Sequence, residues 1–339
     1  MKKILLLGGT GAMGTYLAPK LAKTGYNVDV VSLDDVVSDN PQINYIKMNA
    51  LDNAPVFELL KNEYNAIVDF LIYANPRKTF NERMNMFLKN TEHYLYFSTY
   101  RIYANEDKLI TENSPRLLDV SKDKEFLQEA ADEYSLYKAT GEDMFFESEY
   151  KNWSIIRPAI TYSKFRFQLT ILEAPVVIHR MVNNKKILLP QEAMNKQATM
   201  SWAGDAAEML ARIILNKDAF GEAYTLATAE HHSWKEIADY YAQIGGLKYE
   251  TIDAETFIDV CFAGSKFARW QLRYDRMFDR VIDNSKILNI TGMKQSELMP
   301  LRKGLEYEFS RLPENYVWRV SDINARMDAY IQSKKETAK

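Results

Sequence analysis

A single cysteine, Cys261, stands among 339 residues. That excludes an internal disulfide framework and a thiolate-bound metal cluster, and it fits a reducing compartment. Histidine is almost as scarce: His93, His179 and the adjacent His231 and His232 are scattered, with none of the H-E-x-x-H spacing that makes ligands converge, so no catalytic metal is expected. Neither sign of charge dominates. Lysine plus arginine number 43 and aspartate plus glutamate 46, giving a net charge of −3 and a pI near 6.0. Such a balance offers nucleic acid or anionic lipid no electrostatic footprint, and neither is expected as a partner. No apolar run approaches the roughly 18 residues of a membrane span. The four apolar residues at 4–7 are too few for the core of a signal peptide. The expectation is a soluble cytoplasmic protein whose Cys261, in the apolar stretch 257–262, is a buried small hydrophobe rather than a nucleophile.

With 47% apolar residues the chain can build a large core, and at the usual ~100–200 residues per domain its length suits two domains or one large one with a lobe. Short apolar runs at 3–7, 28–33, 45–48, 66–71, 94–98 and 153–157 alternate with amphipathic stretches. This is the pattern of parallel strands buried on both faces and joined by crossover helices, a doubly wound α/β sheet of Rossmann type. Pro158 closes the last run, which places a boundary near residue 160. Residues 1–160 are read as a first, doubly wound domain, 161–330 as a smaller α+β lobe with segments free to return to the first domain, and 331–339 as a polar tail. In the second half helices are expected at 166–183, 205–216, 234–244 and 300–312, with strands at 187–189 and 223–227. The lobe is expected over the carboxyl edge of the sheet, where open α/β folds bind ligands.

Immediately after the first run comes Gly8-Gly9-Thr10-Gly11-Ala12-Met13-Gly14, followed by a helix-compatible segment. Glycine is required where φ is positive, where backbone must approach a pyrophosphate, and where a helix packs tightly on a strand. The helix start then faces the phosphates with its N–H groups. A tight turn alone could use the same glycines, but the strand–loop–helix context is the one that dinucleotide binding demands.

The Gly8-x-x-Gly11-x-x-Gly14 spacing resembles the short-chain dehydrogenase/reductase superfamily, and its GGTGxxG form resembles the extended branch, the NAD-dependent epimerases and dehydratases of nucleotide sugars. The resemblance implies cofactor contacts from Gly8, Thr10, Gly11, Ala12, Met13 and Gly14. The family's acidic residue for the adenosine ribose falls on Ser32, with Asp34 and Asp35 just beyond. Two carboxylates and no nearby arginine favour NAD over the 2′-phosphate of NADP, without excluding NADP. Met48-Asn49-Ala50-Leu51-Asp52 resembles the family stretch that contacts adenine, with Asn49 where an aspartate is common, and a plain turn is the alternative.

Three Tyr-x-x-x-Lys pairs occur: Tyr16/Lys20, Tyr134/Lys138 and Tyr330/Lys334. Only Tyr134/Lys138 opens a helical run about 35 residues after a strand ending in Ser98-Thr99, which resembles the family's layout. One helical turn apart, phenol and ammonium share a face, and the ammonium favours phenolate. Tyr134 would exchange a proton with a substrate hydroxyl. By the resemblance, Lys138 would also hold the nicotinamide ribose. Thr99, in Ser98-Thr99-Tyr100-Arg101-Ile102-Tyr103, would hydrogen-bond the reacting oxygen. Arg157-Pro158-Ala159-Ile160-Thr161-Tyr162 resembles the family's R-P-x-x-x-Y run, although Ile160 replaces a common asparagine.

In the second lobe Asp205 is read as a helix cap. A family arginine ahead of Asp-x-Ser-Lys falls on Arg273, accompanied by Arg276 and Arg280. These could grip a diphosphate, or they could form an exposed salt-bridged helix with Asp275, Asp279 and Asp283. The leading reading is an NAD-dependent enzyme acting by hydride transfer on a sugar-like, nucleotide-diphosphate-linked substrate. Its rivals are a carbonyl reductase or alcohol dehydrogenase on a small molecule, and a non-catalytic cofactor-sensing or RNA-binding relative. The family often dimerises through helices that would here span 81–90 and 134–150; monomer and homodimer both remain open.

Overall fold

In a computed structural model that describes every residue except Asp107, Asn315, Val320, Ala338 and Lys339, the short apolar runs become one parallel sheet. Its strands are β1 (Lys3–Leu7), β2 (Asn27–Ser32), β3 (Ile43–Lys47), β4 (Ala66–Asp69), β5 (His93–Phe97), β6 (Trp153–Pro158) and β7 (Glu222–Leu226). They lie in the order 7-6-5-4-1-2-3, each parallel to its neighbour. This is the Rossmann-type arrangement, whose strand order reverses between β1 and β4 and opens a ligand crevice at the carboxyl ends there.

Alternation along each strand decides what covers the sheet. Ile4 and Leu6 of β1 enter a core with α1 (Gly14–Lys23), and Leu5 and Leu7 enter the opposite one with α2 (Asn53–Leu59), α3 (Asn81–Lys89) and α4 (Tyr134–Phe146). Both faces are apolar, so a helix layer is needed on each. On α4, Met144 and Phe145 pack into this core, while Phe146 is 46% exposed.

The chain divides into two compact units, and two stretches beyond residue 160 return to the first. That unit comprises Met1–Thr161, Ala203–Thr228 and Asp283–Leu298. The strand expected at 223–227 is β7 of the main sheet, paired with β6 from Glu222↔Ser154 to Leu226↔Pro158. The helix expected at 205–216 is α5 (Ala203–Ile213), which packs with α1. Asp205 therefore lies within its first turn and not at a cap, although a carboxylate there still suits the helix dipole.

The second unit comprises Tyr162–Trp202, Ala229–Ile282 and Met299–Lys339. Lys186–Pro190 pairs in parallel with Lys248–Ile252, and helices run over Trp234–Gly245 and Leu301–Ser310. The helix expected over 166–183 begins only at Ala174. Before it Gln168–Leu169 pairs antiparallel with Leu172–Glu173 around Thr170 at φ +53°, a reversal that helical periodicity does not reveal. The segment read as a polar tail is helical through the end of Asp322–Thr337, and Ala338 and Lys339 lie outside the described residues. Cys261 is buried, and burial pushes its thiol up to about 12, which suits an inert hydrophobe. Among the described residues no helix is long and apolar enough to cross a membrane.

One buried ion pair ties α4 to β6. Arg157 Nε and Nη2 donate to the two carboxylate oxygens of Glu142 at 2.8 and 2.7 Å, while Nη1 donates to Tyr103 Oη at 3.0 Å and to the Glu112 carbonyl at 2.8 Å. Truncating one partner of such a pair strands the other charge out of water. Glu142→Gln should lower the free energy of unfolding by about 3 kcal/mol or more, read as a shifted urea midpoint with unchanged slope.

Candidate active site

Each glycine of the first loop answers a different steric demand. Gly8 has φ +75° and donates its N–H to the Val31 carbonyl at 2.8 Å. A Cβ on Gly9 would stand 2.8 Å from both Leu6 Cβ and Val30 Cγ1, and one on Gly14 would collide with the Gly9 carbonyl. Gly11 is different. A Cβ there would meet only the Gly8 carbonyl oxygen, at 3.9 Å, so the space over it is open to a ligand. Ala12 is half-buried, and Met13 is buried with its sulfur 3.9 Å from Thr161 Oγ1. α1 has no acidic residue in its first turn to compete with an anion.

At the end of β2, Thr10 Oγ1 donates to Asp34 Oδ2 at 2.6 Å and lies 2.7 Å from Ser32 Oγ, which also accepts from Asp34 N at 3.1 Å. The glycine loop thus holds an exposed carboxylate beside the buried Ser32. Three large apolar side chains stand open beyond strands on either side of β1: Leu33 after β2, Leu51 after β3 and Ile72 after β4, at 71%, 52% and 54% exposure. An open backbone cradle, an acidic group at its rim and an apolar border are what a dinucleotide's pyrophosphate, ribose and adenine require, so the residues present fit that cofactor. The apolar border escaped the sequence reading because nothing in a lone Leu or Ile distinguishes an exposed one. Asn49 forms a turn: Oδ1 accepts from Leu51 N at 3.1 Å and Nδ2 donates to Asp52 Oδ1 at 3.0 Å.

The second cluster forms where β5 ends. Thr99 Oγ1 accepts from Arg101 N at 3.2 Å, capping a single turn over Tyr100–Ile102. α4 begins at Tyr134 because Glu133 caps it, its Oε2 accepting from Ser135 N at 2.7 Å and Leu136 N at 3.0 Å. One turn along, Lys138 is buried, with Nζ donating to the Phe97 carbonyl at 2.5 Å and the Leu71 carbonyl at 3.1 Å. Its Nζ lies 5.9 Å from the half-buried Tyr134 ring and 5.0 Å from the Tyr96 ring. Burial pushes the Lys138 ammonium down to about 8, against the opposing pull of the Asp69 and Glu142 carboxylates. Lys138 Nζ is therefore held at the carboxyl ends of β4 and β5, one helical turn from Tyr134, and Thr99 follows two residues after the Phe97 carbonyl that the lysine meets. Of the other two Tyr/Lys pairs, Lys20 is taken by Glu208, and Tyr330 and Lys334 face each other at 5.5 Å on the Asp322–Thr337 helix of the second unit.

In the second unit the three arginines separate. Arg276 and Arg280 are buried and both pair with Asp275, and Arg276 Nε also donates to the Thr170 carbonyl at 2.8 Å. Of the three carboxylates interleaved with these arginines, Asp275 lies inside rather than on an exposed salt-bridged face, and the two guanidinium groups that meet it fasten the unit's interior. Arg273 alone is exposed, on a π-helical turn over Leu272–Arg276, an irregularity frequent at functional sites. His93 is also interior: Nε2 faces Ser154 Oγ at 2.9 Å, Nδ1 accepts from Leu215 N at 3.0 Å, and burial pushes its pKa down to about 3.

A model described as the NAD dependent epimerase/dehydratase family matches residues 4–227. A chloroplast stem-loop binding protein of 41 kDa from Arabidopsis thaliana is 22% identical over 73% of this chain and 64% of its own length. A dTDP-D-glucose 4,6-dehydratase from Dictyostelium discoideum is 24% identical over 67% of this chain and 58% of its own. The chain thus spans less than two thirds of either relative. A UDP-glucuronic acid 4-epimerase from Bacillus cereus, solved with UDP-glucuronic acid and NAD, superposes with a TM-score of 0.67 at 15% identity, over 93% of this chain and 100% of that one. The chain belongs to the NAD dependent epimerase/dehydratase family, and NAD is that family's cofactor.

Two outcomes follow from this geometry. NADH should bind more tightly than NADPH in a fluorescence titration, and Asp34→Asn should weaken NADH and narrow the gap. Lys138 is protonated in the unfolded chain up to about 10.5 but in the folded one only to about 8. Between those values the unfolded state holds more protons, so stability rises with pH. The melting temperature of the native chain should gain on that of Lys138→Met as pH rises from 8 to 10.5, and a constant difference would refute the depressed lysine.

Proposed function

We propose that this chain is an NAD-dependent enzyme that oxidises, epimerises or dehydrates a sugar-like substrate carrying a nucleotide diphosphate. One observation carries the reading: Tyr134 and the buried Lys138 occupy successive turns of α4, with the ammonium held by carbonyls at the ends of two sheet strands. A phenol in that setting loses its proton more readily than in water, because the ammonium compensates the phenolate charge where little solvent can. Tyr134 would take the proton from a substrate hydroxyl as the carbon beneath it is oxidised, and Thr99 would hydrogen-bond the same oxygen. Lys138 would also hold the nicotinamide ribose, and Gly8, Thr10, Gly11, Ala12, Met13, Gly14, Ser32 and Asn49 the rest of the dinucleotide. NAD, when bound, supplies the hydride acceptor. The names of the Dictyostelium and Bacillus proteins support a nucleotide sugar as substrate, and the exposed Arg273 is proposed as its phosphate ligand.

Tyr134→Phe should retain NADH affinity and lose turnover by at least a hundredfold, and unchanged turnover would remove Tyr134 from the mechanism. In a panel of nucleotide sugars, Arg273→Ala should raise KM about tenfold or more with little change in kcat. Equal KM values would favour a small-molecule carbonyl or alcohol substrate instead. The likeness to the stem-loop binding protein supports a second reading, RNA binding, against which the net charge of −3 weighs. Retardation of a stem-loop RNA at moderate salt would establish that reading; an unshifted band is expected.

A further inference from the structure

Two cations stand against the ring of Tyr134. Besides Lys138, the Arg101 guanidinium carbon lies 5.0 Å from the ring centroid. The Arg101 side chain is 14% exposed and fastened at both ends: its backbone N–H donates to Thr99 Oγ1, and Nη2 donates to Glu133 Oε1 at 3.2 Å. Glu133 is itself buried, and its other oxygen is committed to the first N–H groups of α4. Carboxylate, guanidinium and phenol thus form a short series that joins the Thr99 turn to the start of the Tyr134 helix. Other titratable groups about the ring include Lys138, Tyr137, which meets it edge-on at 5.5 Å, and Tyr96; burial raises both of these phenols and keeps them neutral.

We propose that Arg101 is a positioning residue for Tyr134: its planar guanidinium, oriented by Glu133, fixes the phenol ring beside Thr99 and adds a second positive charge in favour of phenolate. The proposal rests on the reading of Tyr134 as the proton-exchanging group. A guanidinium against an aromatic face is attractive in itself and restricts the ring's rotation. Its effect on ionisation is partly offset by Glu133, and that offset gives opposite signs to two substitutions. Removing the arginine deletes a cation and leaves a buried carboxylate next to Tyr134, both of which keep the phenol protonated. Neutralising the glutamate leaves the cation unopposed and promotes ionisation. A purely structural link between two loops predicts no such opposition.

The test is a pH titration of the full chain carrying 13Cζ-labelled tyrosine, with NAD present and the Tyr134 resonance assigned by its loss in Tyr134→Phe. Arg101→Gln should move the Tyr134 midpoint up by about one pH unit and Glu133→Gln should move it down by a similar amount, with Arg101→Lys between Arg101→Gln and the native chain. The amide oxygen that Glu133→Gln introduces still accepts from the helix N–H groups, so this variant remains informative if Arg101→Gln does not fold. Midpoints that stay put, or that move in the same direction in both variants, overturn the proposal. Because the resonance is read without substrate, opposite shifts together with full turnover in Tyr134→Phe would leave the electrostatic coupling standing and refute only the proton-exchange reading.

Discussion

An ammonium taken out of water costs several kcal/mol unless oxygen atoms replace its hydration, and much of the first unit is arranged to supply them to Lys138. The oxygens are main-chain carbonyls, one in β5 and one just past β4. They are in place only if both strands end where they do and if α4 lies close against the sheet. That approach is tight. Gly141, one turn beyond Lys138, faces the Tyr96 hydroxyl so closely that any Cβ would collide with it. The glycine is a packing requirement of the lysine's seat, and the same approach brings Glu142 to Arg157.

The parts of this molecule that were legible in the sequence are those whose determinants are local. The six apolar runs became β1 to β6, and the glycine loop follows the first of them, because strand alternation and steric demand at a turn are written within a few residues. The Tyr134/Lys138 pair could be picked from three equal spacings only by its distance from the Ser98-Thr99 strand end. What escaped depends on partners far along the chain. β7 pairs with a strand some 65 residues earlier, and no local pattern announces which sheet a short apolar run will join. Asp34 was passed over as a site because counting along the strand ended on Ser32, whereas the Thr10 hydroxyl determines which carboxylate is held at the loop. Arg101 has no role in the sequence reading, and only its contact with the Tyr134 ring marks it.

The arginines of the second unit illustrate the same limit from the opposite side. Guanidinium groups suited to a diphosphate are equally suited to a buried carboxylate, since both present paired oxygens. Interleaved charges at 273–280 are compatible with either, and the outcome is decided by burial alone: Arg276 and Arg280 close on Asp275 within the unit, and Arg273 is left at the surface by the π-helical turn. Asn49 shows a milder case, where both ends of the amide bond within a strand-end turn.

The contrast among the loop glycines bears on how damage to this protein would present. Gly9 and Gly14 are crowded by Leu6, Val30 and the loop's own backbone, whereas Gly11 faces empty space. A methyl group introduced at either crowded position would be felt during maturation and reported as scarce or degraded protein. The same methyl at Gly11 would leave abundance and melting untouched while occupying the volume that a phosphate needs. Loss of function at neighbouring codons would thus arise by unrelated routes, and a chaperone or a stabilising background could rescue the first kind of lesion but not the second.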